Sequence, residues 1–259
     1  MTKIYYFSGT GNSLWSAKKI AEIIGGSSPE TRCELFNIGI EEKKSEIVIE
    51  ADAVVLVFPS FAYSLPPAVS RFVKKVEFKT PYIAAFATYG SSPLGTLGAL
   101  RRILKKKVNC KMFFGRIPAV ENYLAMFGTP NAKKIELRTS MQKKATDEAA
   151  RSVIDRKENI VNTFTPFSAF IFLLFTLGLK IFYKYYRVSD KCDGCAICEK
   201  ICPVSSIRME NERPVFSSAC EHCQGCVNIC PSKAIKFARK KFGDDGYRHP
   251  EIQIKELMH

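Results

Sequence analysis

With 259 residues, 46% of them apolar and 25% charged, the chain is long enough for two domains and too apolar to be disordered. Its formal charge of +14 comes without an aromatic-interleaved basic motif, so no nucleic-acid partner is expected. Ten cysteines and no secretory pattern at Met1 predict a reducing, cytoplasmic setting and exclude a disulfide scaffold.

Lys3 to Phe7 reads as a short apolar strand. It runs into Ser8-Gly9-Thr10-Gly11-Asn12-Ser13 and then a helical pattern, Leu14 to Ile24, ended by Gly25-Gly26. Strand, small polar loop and helix is the arrangement that turns backbone N–H groups and a helix start towards a phosphate. The loop is not a Walker A motif, since Gly-Lys-Ser/Thr is missing. Nor is it the dinucleotide fingerprint, which needs glycine where Leu14 stands. It holds no Lys or Arg, so an anion there would be bound by the hydroxyls of Ser8, Thr10 and Ser13 and by amides. An ordinary polar turn has the same pattern.

Strands follow near Cys33 to Ile38, at Ala53 to Phe58, at Tyr82 to Ala87 and near Lys111 to Ile117, with helices near Ala68 to Val76 and Leu94 to Lys107. Five strands with helices between them predict an α/β fold, a doubly wound parallel sheet covered on both faces. Ligands of such sheets sit beyond the carboxyl ends of the strands. Those ends are the Ser8–Ser13 loop, Pro59-Ser60-Phe61-Ala62-Tyr63 and Thr88-Tyr89-Gly90. Residues 131–159 are polar and helical and close the domain. Cys33 and Cys110 are expected in its core.

These three loops resemble those of flavodoxins. The resemblance implies that Ser8–Ser13 holds the phosphate of FMN, with the second and third loops flanking the flavin ring. Phe61 or Tyr63, with Tyr89, are then the ring-packing residues. For each, an ordinary core or surface aromatic is the alternative. Flavodoxins often have glycine in the second loop; F-P-S-F-A-Y-S-L-P has none.

Ile160 to Leu179 contains no charged residue. Its length meets the criterion for a membrane span, but Asn162, Thr163, Thr165, Pro166, Ser168, Thr176 and Gly178 weaken it. A segment buried between domains or in a homodimer interface is expected. A monotopic membrane contact aided by Lys180, Lys184 and Arg187 is the alternative.

The last part of the chain carries two runs of one pattern, C-x2-C-x2-C-x3-C-P, at Cys192-Cys195-Cys198-Cys202 and Cys220-Cys223-Cys226-Cys230. This is the spacing that ligates [4Fe–4S] clusters, the fourth cysteine of each run serving the other cluster. Cys192, Cys195, Cys198 and Cys230 would hold one cluster, and Cys220, Cys223, Cys226 and Cys202 the second. Zinc would favour two CxxC pairs closing one tetrahedron, whereas a third cysteine and C-P recur here. The runs repeat every 28 residues, which predicts two similar halves about a pseudo-twofold axis. His222, inside the second run, is expected to be a tuning or exposed residue. This part resembles the bacterial two-cluster ferredoxins, a small α+β fold.

Read together, residues 1–160 form a flavodoxin-like domain, 161–186 a hydrophobic connector and 187–259 a ferredoxin domain with a tail. The order resembles that of flavodoxin–ferredoxin fusion proteins, including Gly246-Tyr247-Arg248-His249-Pro250 near the end. Arg248 and His249 either reach the flavin region or form a surface tail. The resemblance implies FMN, two [4Fe–4S] clusters and intracellular electron transfer between one- and two-electron steps. A ferredoxin-fed FMN reductase of a small molecule is the alternative, and a membrane-surface redox subunit a third. Residues 1–186 carry 27 Lys and Arg against 15 Asp and Glu. These are read first as solvated helix faces, and second as a landing surface for an acidic redox protein.

Overall fold

The computed structural model describes residues 1–161, 166–237 and 246–259; the side chains of Ala125, Ser168 and Lys180 are also outside the description. Asn162, Thr163 and Thr165 of the apolar segment therefore lie outside the described residues.

Five strands, β1 (Thr2–Tyr6), β2 (Cys33–Asn37), β3 (Ala53–Pro59), β4 (Tyr82–Tyr89) and β5 (Lys111–Pro118), form one parallel sheet in the order β2-β1-β3-β4-β5. This is the flavodoxin-like doubly wound order, which reverses direction at β1/β3. Thr2 pairs with Cys33 on one side and Ala53 on the other. The run Ala53 to Phe58 is wholly apolar because both faces of β3 are covered. Val54, Leu56 and Phe58 enter one core with Phe72 and Leu100, from helices α2 (Pro67–Lys75) and α3 (Thr96–Leu104). Val55 and Val57 enter the opposite core with Ile20 and Val153, from α1 (Asn12–Gly25) and α4 (Ala132–Ile154). Cys33 and Cys110 are half-buried at the edges of these cores rather than inside them.

The polar helix α4 is held by hydrogen bonds as well as packing. Buried Gln142 donates to Asn12 O (2.9 Å) and to Ser16 Oγ (3.0 Å), fixing the start of α1. Asn131 caps α4 by accepting from Lys134 N.

The small domain consists of two antiparallel pairs, β6 (Tyr186–Val188) with β9 (Ile235–Phe237) and β7 (Ile207–Glu210) with β8 (Arg213–Phe216). The 28-residue repeat recurs in the backbone. Gly194, Ala196 and Ser205 have φ of 72°, 57° and 49°; their counterparts His222, Gln224 and Lys233 have 60°, 61° and 50°.

The connector is a helix, α5 (Pro166–Phe182). Phe175 meets Phe61 (ring centroids 6.5 Å), and Phe182 meets His222 (5.4 Å) and Phe237 (6.3 Å), so its inner side touches both domains. Burial of the whole segment between the two domains does not hold: Phe167, Phe170, Leu173, Leu174, Leu177 and Ile181 are each at least half exposed in the single chain. A uniformly apolar sequence has no polar side to mark the outward face, which is why sequence reading buried it. Among the described residues no helix is long and apolar enough to cross a membrane.

Candidate cofactor sites and their junction

The three expected loops converge at the carboxyl ends of β1, β3 and β4. Ser13 Oγ and Thr88 Oγ1 are 2.8 Å apart, tying the first loop to the third. Ser60 N donates to Thr88 O (2.8 Å), tying the second loop to the third, and Ser60 Oγ pairs with Thr96 Oγ1 (2.6 Å).

Residues Ser8 to Ser13 are all buried. Gly11, at φ 99°, precedes α1, and no side chain caps the helix start. A buried, uncapped helix start needs an acceptor for its N–H groups. The hydroxyls are arranged to help. Ser8 Oγ accepts from Gly11 N (3.1 Å) and Thr10 Oγ1 accepts from Asn122 Nδ2 (2.6 Å). Each keeps its own O–H to donate, and one O–H also remains in the Ser13–Thr88 pair. Amides, hydroxyls and a helix start without a cation are a donor set that fits a phosphate monoester such as that of FMN.

In the second loop, Phe61 N donates to Ser64 O (3.0 Å) and Ser64 N to Phe61 O (2.9 Å). The two residues between, Ala62 and Tyr63, both have left-handed backbone, at φ 45° and 64°. That strained turn needs no glycine but is rare without one. Phe61 packs edge-on against Phe7 (6.2 Å) and Phe175. The Arg138 guanidinium lies over Tyr89 (5.8 Å) and Nη2 donates to Tyr89 O (3.2 Å). Gly90 has Glu121 packed against it, so a side chain there would collide with the carboxylate.

Thiols of the two cysteine runs lie close to one another. Burial pushes the Cys198 thiol up to about 12, and the other thiols acting on it are those of Cys230, Cys195 and Cys192. Cys223 and Cys226 are raised first by burial; both feel Cys202 and Cys220. The fourth cysteine of each run thus lies with the other run. Among the described residues no three His, Cys, Asp or Glu side chains converge as ligands of a single ion. Backbone N–H groups point at sulfur from Ser206 to Cys202 (3.2 Å), His222 to Cys220 (3.4 Å) and Ala234 to Cys230 (3.4 Å). Such bonds stabilise thiolate, the form that binds iron. Cys202, Cys220, Cys223 and Cys226 also line a small cavity with Tyr186 and Ile207. These residues fit two clusters.

His222 is buried, not exposed. It sits among the rings of Tyr123, Phe182, Tyr186 and Phe237, and Gln224 Nε2 is 2.9 Å from its Nδ1. Burial in this cage lowers its pKa to about 4.

The two sites touch. A Cβ on Gly9 would lie 3.0 Å from the carbonyl oxygen and 3.2 Å from Sγ of Cys223; one on Gly225 would lie 2.7 Å from Gly9 O. Gly9 and Gly225 let these backbones meet. The tail then covers the loop from the other side and is no surface appendage. His249 N donates to Thr10 O (2.9 Å), Tyr247 Oη to Asn12 Oδ1 (2.7 Å), and the buried His249 ring stacks on Trp15 at 4.8 Å. Ile201, Ile229, Ile252 and Leu257 complete a core with Leu14 and Trp15. Arg71 forms an ion pair with buried Glu221, 2.9 Å from its Oε1.

The sequence alone assigns no role to Asn122 or Asn228, whose side chains join the loop after β5 to both sites. Asn228 Nδ2 donates to Asn122 O (3.1 Å), and its Oδ1 accepts from Tyr247 N (2.8 Å). The Asn122-Tyr123 pair beyond the last strand was the available signal.

Residues 184–237 match the family model of a 4Fe-4S dicluster domain. Among solved structures, the azoreductase from Bacillus anthracis str. Sterne is 11% identical, covering 58% of this chain and 100% of its own, with a TM-score of 0.40. The Streptococcus pneumonia TIGR4 flavodoxin is 12% identical, covering 60% and 99%, with a TM-score of 0.37. The NAD(P)H:quinone oxidoreductase from Methanothermobacter marburgensis is 10% identical, covering 62% and 98%, with a TM-score of 0.42. No curated protein matches at a significant level.

Proposed function

We propose that the chain is an electron-transfer iron–sulfur flavoprotein, with FMN held by residues 1–160, two [4Fe–4S] clusters by residues 187–259, and 161–186 as their connector. The observation that carries this reading is the contact of Cys223 with Gly9, which sets one group of cluster cysteines directly against the phosphate loop. When bound, FMN exchanges electrons singly or in pairs and each cluster one at a time, so the combination interfaces one- and two-electron steps.

The chain's own residues set the order of the sites. Cys202, Cys220, Cys223 and Cys226 form the inner group, next to the loop. Cys192, Cys195, Cys198 and Cys230 form the outer group, which reaches solvent at the exposed Cys195. A redox protein would therefore dock at the outer group. The exposed charges there are of both signs, Lys191, Arg208 and Arg213 with Asp190, Asp193, Glu210 and Glu212. All ten cysteines are free, in keeping with a reducing cytoplasmic setting. A small-molecule reductase would need room above the ring. A groove of about 590 Å³ lies elsewhere, on the outer side of α1 beside Leu14, Lys18, Cys33 and Glu256.

Anaerobic purification followed by a redox titration, read by visible and EPR spectroscopy, tests this. About eight irons and one FMN per chain, with two cluster signals, are expected. Zinc in place of iron, or no yellow chromophore, would overturn the proposal. Cys198→Ala should remove half the iron, all of it from the outer group, and leave FMN bound.

A further inference from the structure

The outward face of α5 is unaccounted for by electron transfer. Phe167, Phe170, Leu173, Leu174, Leu177 and Ile181 are 61%, 57%, 53%, 50%, 53% and 53% exposed. At about 100° per residue they fall within roughly a third of the helix circumference. Leu179, Phe175 and Phe182 point the other way and fasten the helix to the protein. Large apolar side chains of roughly 150–250 Å² each, half exposed, present on the order of 500 Å², near the upper limit for a monomer's largest patch.

We infer that this face seats the protein on an anionic lipid surface, with α5 lying in the plane of the bilayer boundary. Three features choose lipid over another occupant. The 17-residue helix is about 25 Å long at 1.5 Å per residue, short of the ~30 Å hydrocarbon core, and one side is already docked on protein, so it lies flat and does not cross. No Asp or Glu occurs between Glu158 and Asp190, while Lys184 and Arg187 are exposed just beyond its last turn. Tyr183 and Tyr185 accompany them, the amphipathic rings that settle at headgroup level. An apolar stripe bordered by cations and tyrosines matches acyl chains below and anionic headgroups above. A second copy offers the stripe an apolar partner but no counter-charge to a chain of formal charge +14. This inference does not depend on the proposed function.

Vesicle sedimentation of the full-length, cofactor-loaded protein is the test. The protein should pellet with phosphatidylcholine vesicles containing phosphatidylglycerol, pellet less with phosphatidylcholine alone, and be released by salt. Leu174→Glu with Leu177→Glu should leave it in the supernatant with its visible spectrum unchanged, showing that the fold is intact. Lys184→Glu should weaken binding to the anionic vesicles by about fivefold or more. A wild-type protein that stays in the supernatant with both vesicle types overturns the inference. If it is then a dimer that Leu174→Glu with Leu177→Glu dissociates, the face belongs to a second copy. Equal pelleting of wild type and the double variant would also overturn it.

Discussion

Gly9 and His249 show how much of the molecule rests on single residues. Gly9→Val would place branched carbons where Cys223 already lies at 3.0–3.2 Å from a simple Cβ. Overpacking of this kind costs about 1–3 kcal/mol. The melting temperature should fall and FMN binding weaken, while the outer cluster's EPR signal stays as in wild type; unchanged flavin affinity would argue against the junction. His249 makes a pH prediction. Burial lowers its pKa from 6.5 to about 4. The unfolded chain therefore takes up a proton near pH 6.5 that the folded chain refuses until about pH 4. Its stabilisation is complete above pH 6.5 and is lost as pH falls towards 4. Between pH 7 and pH 5 the loss should be about 2 kcal/mol at 1.36 kcal/mol per unit of linkage. His222 is shifted the same way, so the check is a difference: His249→Phe keeps the stack on Trp15 and should flatten the pH dependence of anaerobic urea unfolding. Equal slopes in the two proteins would refute it.

At the scale of elements, the strands and helices were legible because each rests on a local pattern. The Ala53 to Phe58 run has to be covered on both faces, and Pro67 and Gly26 bracket helices that packing then completes. The cluster cysteines were legible because three thiols at fixed spacing leave one backbone path. Their covering was not legible. Nothing local says that Tyr247 finds Asn12 or that Cys223 rests on Gly9, since these contacts join residues more than two hundred apart. The same limit applied to α5, whose inner and outer faces are equally apolar. The turn at Phe61–Ser64 lacks the glycine that would have announced its left-handed pair. Holding a non-glycine residue there costs about 1–2 kcal/mol, and glycine's extra unfolded-state entropy takes back about 0.5–1 of any gain. Ala62→Gly should therefore raise stability by up to about 1 kcal/mol, seen as a higher melting temperature. A clear loss would mean that Ala62 is not left-handed.

For the whole molecule, the consequence is that two folds with separate cores should behave as one unit. Leu14 and Trp15 of the first, Ile201 and Ile229 of the second, and Ile252 and Leu257 of the tail share a buried core. At about 1.5–3 kcal/mol for each fully buried side chain this joint is worth on the order of 10 kcal/mol, an upper bound because the unfolded chain is itself partly collapsed. That is comparable with the entire stability of an ordinary domain, so neither half should melt ahead of the other. The cluster absorbance and the flavin circular dichroism should then be lost in a single thermal transition. Ile252→Asp would bury an unpaired carboxylate at the joint, a change in the class that exceeds about 4 kcal/mol. In that variant the two signals should separate into two transitions, and the flavin should dissociate faster as the tail leaves Thr10. If the wild type already melts in two steps, or the variant in one unshifted step, the tail is not what makes the two folds one body.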